Sequence, residues 1–110
     1  LIDVIEKKVI SELFVIDFLN EGSLLKTFNT KLIEFFPFYN IGLIPFGGIR
    51  SPNIAKKIIN EKRVSALAIG NYLYYQEHAI QNFKRLINMP FLRKEKYEYL
   101  KIGYTYYDAE

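Results

Sequence analysis

The run Ile41-Gly42-Leu43-Ile44-Pro45-Phe46-Gly47-Gly48-Ile49-Arg50-Ser51-Pro52 carries three structural signals in succession. Residues 41–45 form a short apolar stretch, too brief for a helix, and predict a buried strand. Gly47-Gly48 predicts a tight turn. Ser51-Pro52 is a strong helix start, because a serine hydroxyl accepts an otherwise unpaired amide and proline at the first helical position gives up no needed N–H. That helix is expected to run to about residue 60. Strand, glycine turn and helix together make one βα unit.

Reading outward, the same unit recurs. Downstream, Val64-Ser65-Ala66-Leu67-Ala68-Ile69 predicts another strand ending at Gly70-Asn71, followed by a helical pattern through His78 to about residue 87. Pro90 opens a last helix expected to reach about residue 100. Upstream, Leu13-Phe14-Val15-Ile16 predicts a strand that ends in the polar loop Asn20-Glu21-Gly22-Ser23. A helix over residues 29–36 follows, with Asn29 or Thr30 as its cap and Pro37 as its stop. Apolar residues at helical spacing over residues 1–10 predict a helix at the start. The order α, β, α, β, α, β, α, α implies parallel strands joined by crossover helices. The continuous apolar character of the strands implies that both faces are covered.

The composition agrees with a folded domain. Of 110 residues, 50% are hydrophobic and 25% charged, and the net charge is +3. No apolar run approaches the ~20 residues of a membrane span. There is no cysteine, which excludes disulfides and thiolate metal sites and makes the cytoplasm the expected setting. No cofactor is expected. Much of the positive charge lies late, in Lys84, Arg85, Arg93, Lys94, Lys96 and Lys101, among Tyr97, Tyr99, Tyr104, Tyr106 and Tyr107. Such a tail could grip nucleic acid through phosphates and bases. Glu95 and Glu98 interrupt it and no nucleic-acid motif accompanies it, so a solvated helix face is expected instead.

Each predicted strand ends in small or polar residues, and in parallel α/β folds ligands bind at the carboxyl ends of the strands. Gly47-Gly48 before one helix and Gly70-Asn71 before another would offer main-chain amides to an anion without a Cβ in the way. Glycines at these places also serve tight turns with no ligand at all. His78, the single histidine, has no cysteine or second histidine beside it and is expected at a surface or interface rather than on a metal.

Three of these motifs, in this order, resemble the end of the cyclase subunit of imidazole glycerol phosphate synthase and its paralogues that serve bacterial surface-sugar pathways. Ile44-Pro45-Phe46-Gly47-Gly48-Ile49 is similar to the family's I-A-x-G-G-A/I turn. Residues 64–71 are similar to its V-S-A-V-A-A-G-S strand end, and residues 12–23 to its E-I-L-L-T-S-I-D-R-D-G-T. The resemblance covers roughly residues 1–87. It implies a partial (βα)8 barrel: the last three parallel βα units over residues 1–89, then a C-terminal helix and tyrosine-rich tail over residues 90–110. It also implies that Gly22, Ser23, Gly47, Gly48, Gly70 and Asn71 surround one phosphate of the substrate. Ser23 replaces the family's threonine and Asn71 its serine. Leu19 stands in place of the first aspartate of D-R-D-G and Glu21 in place of the second. Glu21 is therefore the candidate catalytic acid or base, with a solvated loop acid as the alternative. The resemblance further implies ammonia supplied by a glutaminase subunit and a phosphorylated small-molecule substrate. The family's principal catalytic aspartates lie on strands that this chain does not contain.

Three strands of a barrel cannot close, so their outer edges and inner face would need cover. Self-association, or a longer natural protein of which this is a piece, is therefore expected. A phosphate-binding barrel piece without turnover is the alternative function.

Overall fold

The computed structural model describes residues 1–75 and 77–94, with the backbone of residues 101–102 and 105–106. Within them the order is α1 (Ile2–Glu6), β1 (Glu12–Ile16), α2 (Lys31–Glu34), β2 (Gly42–Phe46), α3 (Pro52–Ile59), a 3-10 turn (Asn71–Tyr75), α4 (Ala79–Ile87), β3 (Lys101–Ile102) and β4 (Thr105–Tyr106). β1 and β2 pair in parallel from Glu12↔Gly42 to Ile16↔Phe46. β3 and β4 pair antiparallel. The remaining tail residues, with the basic and aromatic pattern read there and the helix expected to residue 100, lie outside the described residues. Residues 90–94, where that helix was to begin, form a turn and irregular chain.

The expected section of a (βα)8 barrel is not what forms. The fold is a small α/β domain built on a two-stranded parallel sheet, with four α-helices among the described residues. A barrel of this type takes about 250 residues and eight strands. The third predicted strand, residues 64–69, lies beside β2 but touches it only through isolated parallel bridges, Leu43↔Val64 and Phe46↔Ala68. Pro45 supplies the physical reason. The Leu43 N–H donates to the Arg63 carbonyl and the Ser65 N–H to the Leu43 carbonyl, so the next rung would be a donation from residue 45. Proline has no N–H to give. The rung is missing, and the ladder resumes one residue out of register when the Ala68 N–H donates to the Pro45 carbonyl.

Local signals explain the helices. Ser51 takes an extended conformation and its hydroxyl accepts the Ile54 N–H at 3.3 Å, with Pro52 at the first helical position. α3 then buries Ala55 and Ile58. α4 buries Ala79, Phe83 and Ile87, one helical face at a spacing of four, and ends at Asn88 in the left-handed conformation that asparagine tolerates. α1 is shorter than the periodicity over residues 1–10 suggests. It closes after Glu6 in a Schellman arrangement: the Val9 N–H donates to the Val4 carbonyl and the Lys8 N–H to the Ile5 carbonyl, with Lys8 at φ +55°. α2 is likewise cut to Lys31–Glu34, with the Asn29 side-chain oxygen accepting the Lys31 N–H.

The core lies on one face of the sheet. Leu43 and Pro45 of β2 are buried there with their partners Leu13 and Val15 of β1 beside them, and Ile33, Ala55, Ile58, Phe83 and Ile87 close over them from the helices. Full burial of a side chain such as Leu43 or Ile58 contributes roughly 1.5–3 kcal/mol. The opposite face carries Phe14, Ile16, Ile44 and Phe46. Phe14 and Ile16 remain about half exposed. The expectation that both faces would be covered is not met within the described residues. None of the described helices is long and apolar enough to cross a membrane.

Candidate functional site

Past the carboxyl ends of β1 and β2, two loops close on each other. The first, residues 17–29, is organised by Asp17, which is 4% exposed. Its carboxylate accepts the side-chain N–H of Asn20 at 2.6 Å and the main-chain N–H of Asn29 at 2.8 Å. Its carbonyl accepts the N–H groups of Asn20 and Glu21. The Ser23 hydroxyl accepts the N–H groups of Leu25 and Lys26, which folds the loop tip back. The second loop is Gly47-Gly48, with φ +108° and +69°. A Cβ on Gly47 would sit 2.6 Å from the Asp17 carbonyl oxygen, and one on Gly48 would sit 2.8 Å from the Phe28 nitrogen. Both glycines are thus required by backbone packed on backbone. The Phe28 N–H donates to the Gly48 carbonyl at 3.3 Å, and Arg50 Nη2 donates to the Lys26 carbonyl at 3.1 Å, tying the loops together.

A cavity of about 170 Å³ lies between these loops and the start of the 3-10 turn, lined by Glu21, Gly22, Ser23, Leu24, Gly48, Arg50, Asn71 and Tyr72. The main-chain N–H groups of Gly22, Leu24 and Gly48 make no hydrogen bond among the described residues. Arg50 adds a guanidinium whose Nε is buried without a hydrogen-bond partner, and no described acid pairs with it. Glu21 is the one carboxylate among the lining side chains. Tyr72 forms a wall and packs edge-on against Phe83 of α4, with centroids 5.3 Å apart. Leu24 stands exposed at the rim.

Of the residues singled out from sequence, Glu21, Gly22, Ser23, Gly48 and Asn71 therefore line one cavity, although they lie on three separate segments. Gly47 and Gly70 do not line it. Gly47 faces Asp17, and Gly70 packs beside the Phe46 ring. Three residues of the lining, Gly22, Leu24 and Gly48, thus keep a main-chain N–H unused among the described residues, and Arg50 adds a positive charge to the same lining. Two contributors escaped the sequence reading. Arg50 stood in plain view, between a glycine turn and a helix start, where an arginine side chain can reach back over the turn. Asp17 was signalled as an acid at the end of an apolar strand, the place where a buried carboxylate organises the following loop. No group of three His, Cys, Asp or Glu residues able to hold a metal ion occurs among the described residues. His78 occupies the position before α4 in the left-handed conformation, without a side-chain capping bond, and its side chain is 16% exposed.

No protein-family model, curated protein or solved structure matches this chain.

Proposed function

We propose that the chain binds the phosphate group of a small phosphorylated molecule in the cavity between the β1–α2 and β2–α3 loops. One observation carries this reading: Gly22, Leu24 and Gly48, whose main-chain N–H groups are unused among the described residues, line the same small space as Arg50, whose guanidinium has no acid partner among them and keeps its Nε without a hydrogen bond. Donors fixed by the fold bind an anion without reorganising, and a charged donor roughly doubles the strength of a hydrogen bond. At about 170 Å³ the cavity is below the ~300–1,000 Å³ usual for a whole drug-sized ligand, so it takes a phosphate and a few further atoms. Calorimetric titration with inorganic phosphate tests it. Binding that weakens by about tenfold or more in Arg50→Ala is expected, and absence of binding to the unaltered chain at millimolar phosphate overturns the reading.

A second reading is the ammonia-using synthase or cyclase that the sequence resemblance implies, with a glutaminase subunit as partner. Its supporting observation is Glu21, a carboxylate among the residues that line the cavity, which could move a proton. With no barrel there is no channel for ammonia, and this reading rests on Glu21 acting with groups supplied from elsewhere. Growth of a histidine auxotroph on the gene separates imidazole formation from surface-sugar amidation, and ammonia-dependent turnover separates both from binding without catalysis. We place either function in the cytoplasm, on the absence of cysteine. The half-exposed Phe14 and Ile16 on the bare sheet face support self-association with a second copy. Light scattering that returns the mass of one chain removes that part.

A further inference from the structure

A carboxylate lining a cavity whose other polar groups all suit an anion is a contradiction that the ligand itself must resolve. Glu21 borders the same space as Arg50, Gly22 and Gly48, and its side chain reaches toward Gly70, where Oε1 would lie 3.7 Å from an added Cβ. It is not consumed by the fold. No hydrogen bond or ion pair engages its carboxylate among the described residues, whereas the neighbouring acid of this loop, Asp17, has both its loop partners. Arg50 is not neutralised by Glu21 either, since no ion pair joins them. The cavity lining therefore holds both unused donors and an unused acceptor. A bare phosphate placed on the donors would be repelled by the Glu21 carboxylate that lines the same small space. A donor carried by the ligand, standing between phosphate and carboxylate, turns that repulsion into a hydrogen bond.

We infer that Glu21 selects the ligand: the site takes a short phosphate monoester bearing a hydrogen-bond donor, a hydroxyl or an ammonium, a few atoms from the phosphorus. The inference rests on the phosphate reading above and adds to it the chemistry of the rest of the molecule. Leu24 and Tyr72 also line the cavity and suit the short carbon chain that joins the ligand's two polar groups. Asn71, with both a donor and an acceptor in its side-chain amide, can serve either end.

The test compares inorganic phosphate, propyl phosphate, glycerol 3-phosphate and O-phosphoethanolamine by calorimetry on the whole chain, in the unaltered protein, Glu21→Gln and Glu21→Ala. Glu21 is partly exposed on a loop, and an unchanged unfolding midpoint checks that the variants fold. In the unaltered protein at least one donor-bearing ester binds about tenfold more tightly than propyl phosphate, in line with one charge-assisted hydrogen bond. In Glu21→Ala that preference falls to within about twofold, and inorganic phosphate binds more tightly than before because the like charge is gone. Glu21→Gln tells the two donors apart. It keeps an acceptor for a hydroxyl but loses the charge that an ammonium needs, so glycerol 3-phosphate retains most of its preference and O-phosphoethanolamine loses it. Equal binding of propyl phosphate and both donor-bearing esters by the unaltered protein overturns the inference, as does a preference that survives in Glu21→Ala. Either result leaves the phosphate reading standing if inorganic phosphate still binds. Failure of every phosphate to bind removes the phosphate reading, and this inference with it.

Discussion

The carboxylate of Asp17 accepts the main-chain N–H of Asn29 at 2.8 Å, across a loop that holds Glu21, Gly22 and Ser23 between the two residues. The same oxygen accepts the Asn20 side chain, so one buried group fixes both the near and the far side of the loop. Everything the cavity draws from this segment depends on that anchorage.

Asp17→Ala should cost about 1–2 kcal/mol, because it removes the acceptor shared by the Asn29 main-chain N–H and the Asn20 side chain in a part-buried setting. Asp17→Asn keeps an acceptor oxygen and should cost about half as much. Urea unfolding, compared with phosphate binding by the same proteins, reads both effects. Asp17 is not among the residues that line the cavity, so Asp17→Asn should weaken binding no more than it loosens the loop.

Gly48 and Gly22 both have positive φ, yet they answer to different constraints. A Cβ on Gly48 meets the Phe28 nitrogen and the Thr27 carbonyl carbon, whereas one on Gly22 meets nothing within 4 Å. Gly48→Ala should therefore destabilise the fold by about 2–4 kcal/mol, from left-handed strain and a backbone collision together. Gly22→Ala should cost about 1 kcal/mol, the strain alone. Equal unfolding midpoints for the two variants would contradict the close approach of the loops at Gly48.

Arg63 holds the chain between α2 and β2. Its guanidinium donates to the carbonyls of Ile33, Phe36 and Phe38 and lies 4.4 Å from the Tyr39 ring centroid. Loss of this fork in Arg63→Ala should destabilise by about 3 kcal/mol, counting the stranded carbonyls and the lost ring contact. Arg63→Lys should recover less than half, since an ammonium on a flexible stem cannot reproduce a planar fork over several carbonyls. Thermal unfolding of the two variants measures the difference.

Lys8 ends α1 with φ +55°, in a Schellman turn usually given to glycine. Lys8→Gly should raise stability by roughly 1 kcal/mol through relief of that strain. A fall in the unfolding midpoint would mean that the lysine stem contributes packing that outweighs the strain.

Much of this molecule was legible from its residues, and the limits have physical causes. The apolar runs at 13–16 and 41–45, and the Ser51-Pro52 start, gave two strands and a helix close to where they lie, because each is fixed by local chemistry. The third strand was misjudged because Val64 to Ile69 has every strand preference of its own. The fault lies in its neighbour, where Pro45 withholds a rung. Ladder continuity belongs to a pair of segments, and composition of one cannot reveal it. The barrel expectation failed with that strand, since it extrapolated three short motifs to an architecture that needs a closed sheet. The early end of α1 was hidden for a similar reason, as its closing residue is a lysine rather than the customary glycine. In the site, glycines and small polar residues after the strands were readable as loop-forming. That Gly47 and Gly48 are occupied by the protein's own backbone, and that Arg50 brings the charge, required the coordinates.

The interrupted rung also makes the two sides of the cavity mechanically unlike. The side bearing Gly22, Gly48 and Arg50 is cross-braced, by Asp17 to Asn29, by Phe28 to Gly48 and by Arg50 to Lys26. The side bearing Asn71 and Tyr72 hangs from β2 at the Ala68 to Pro45 bond and leans on α4 where Tyr72 meets Phe83. The Asn71 side is thus held by fewer cross-bonds, so the Ala68 amide is expected to exchange faster than those of Phe28 and Asn29 on the braced side.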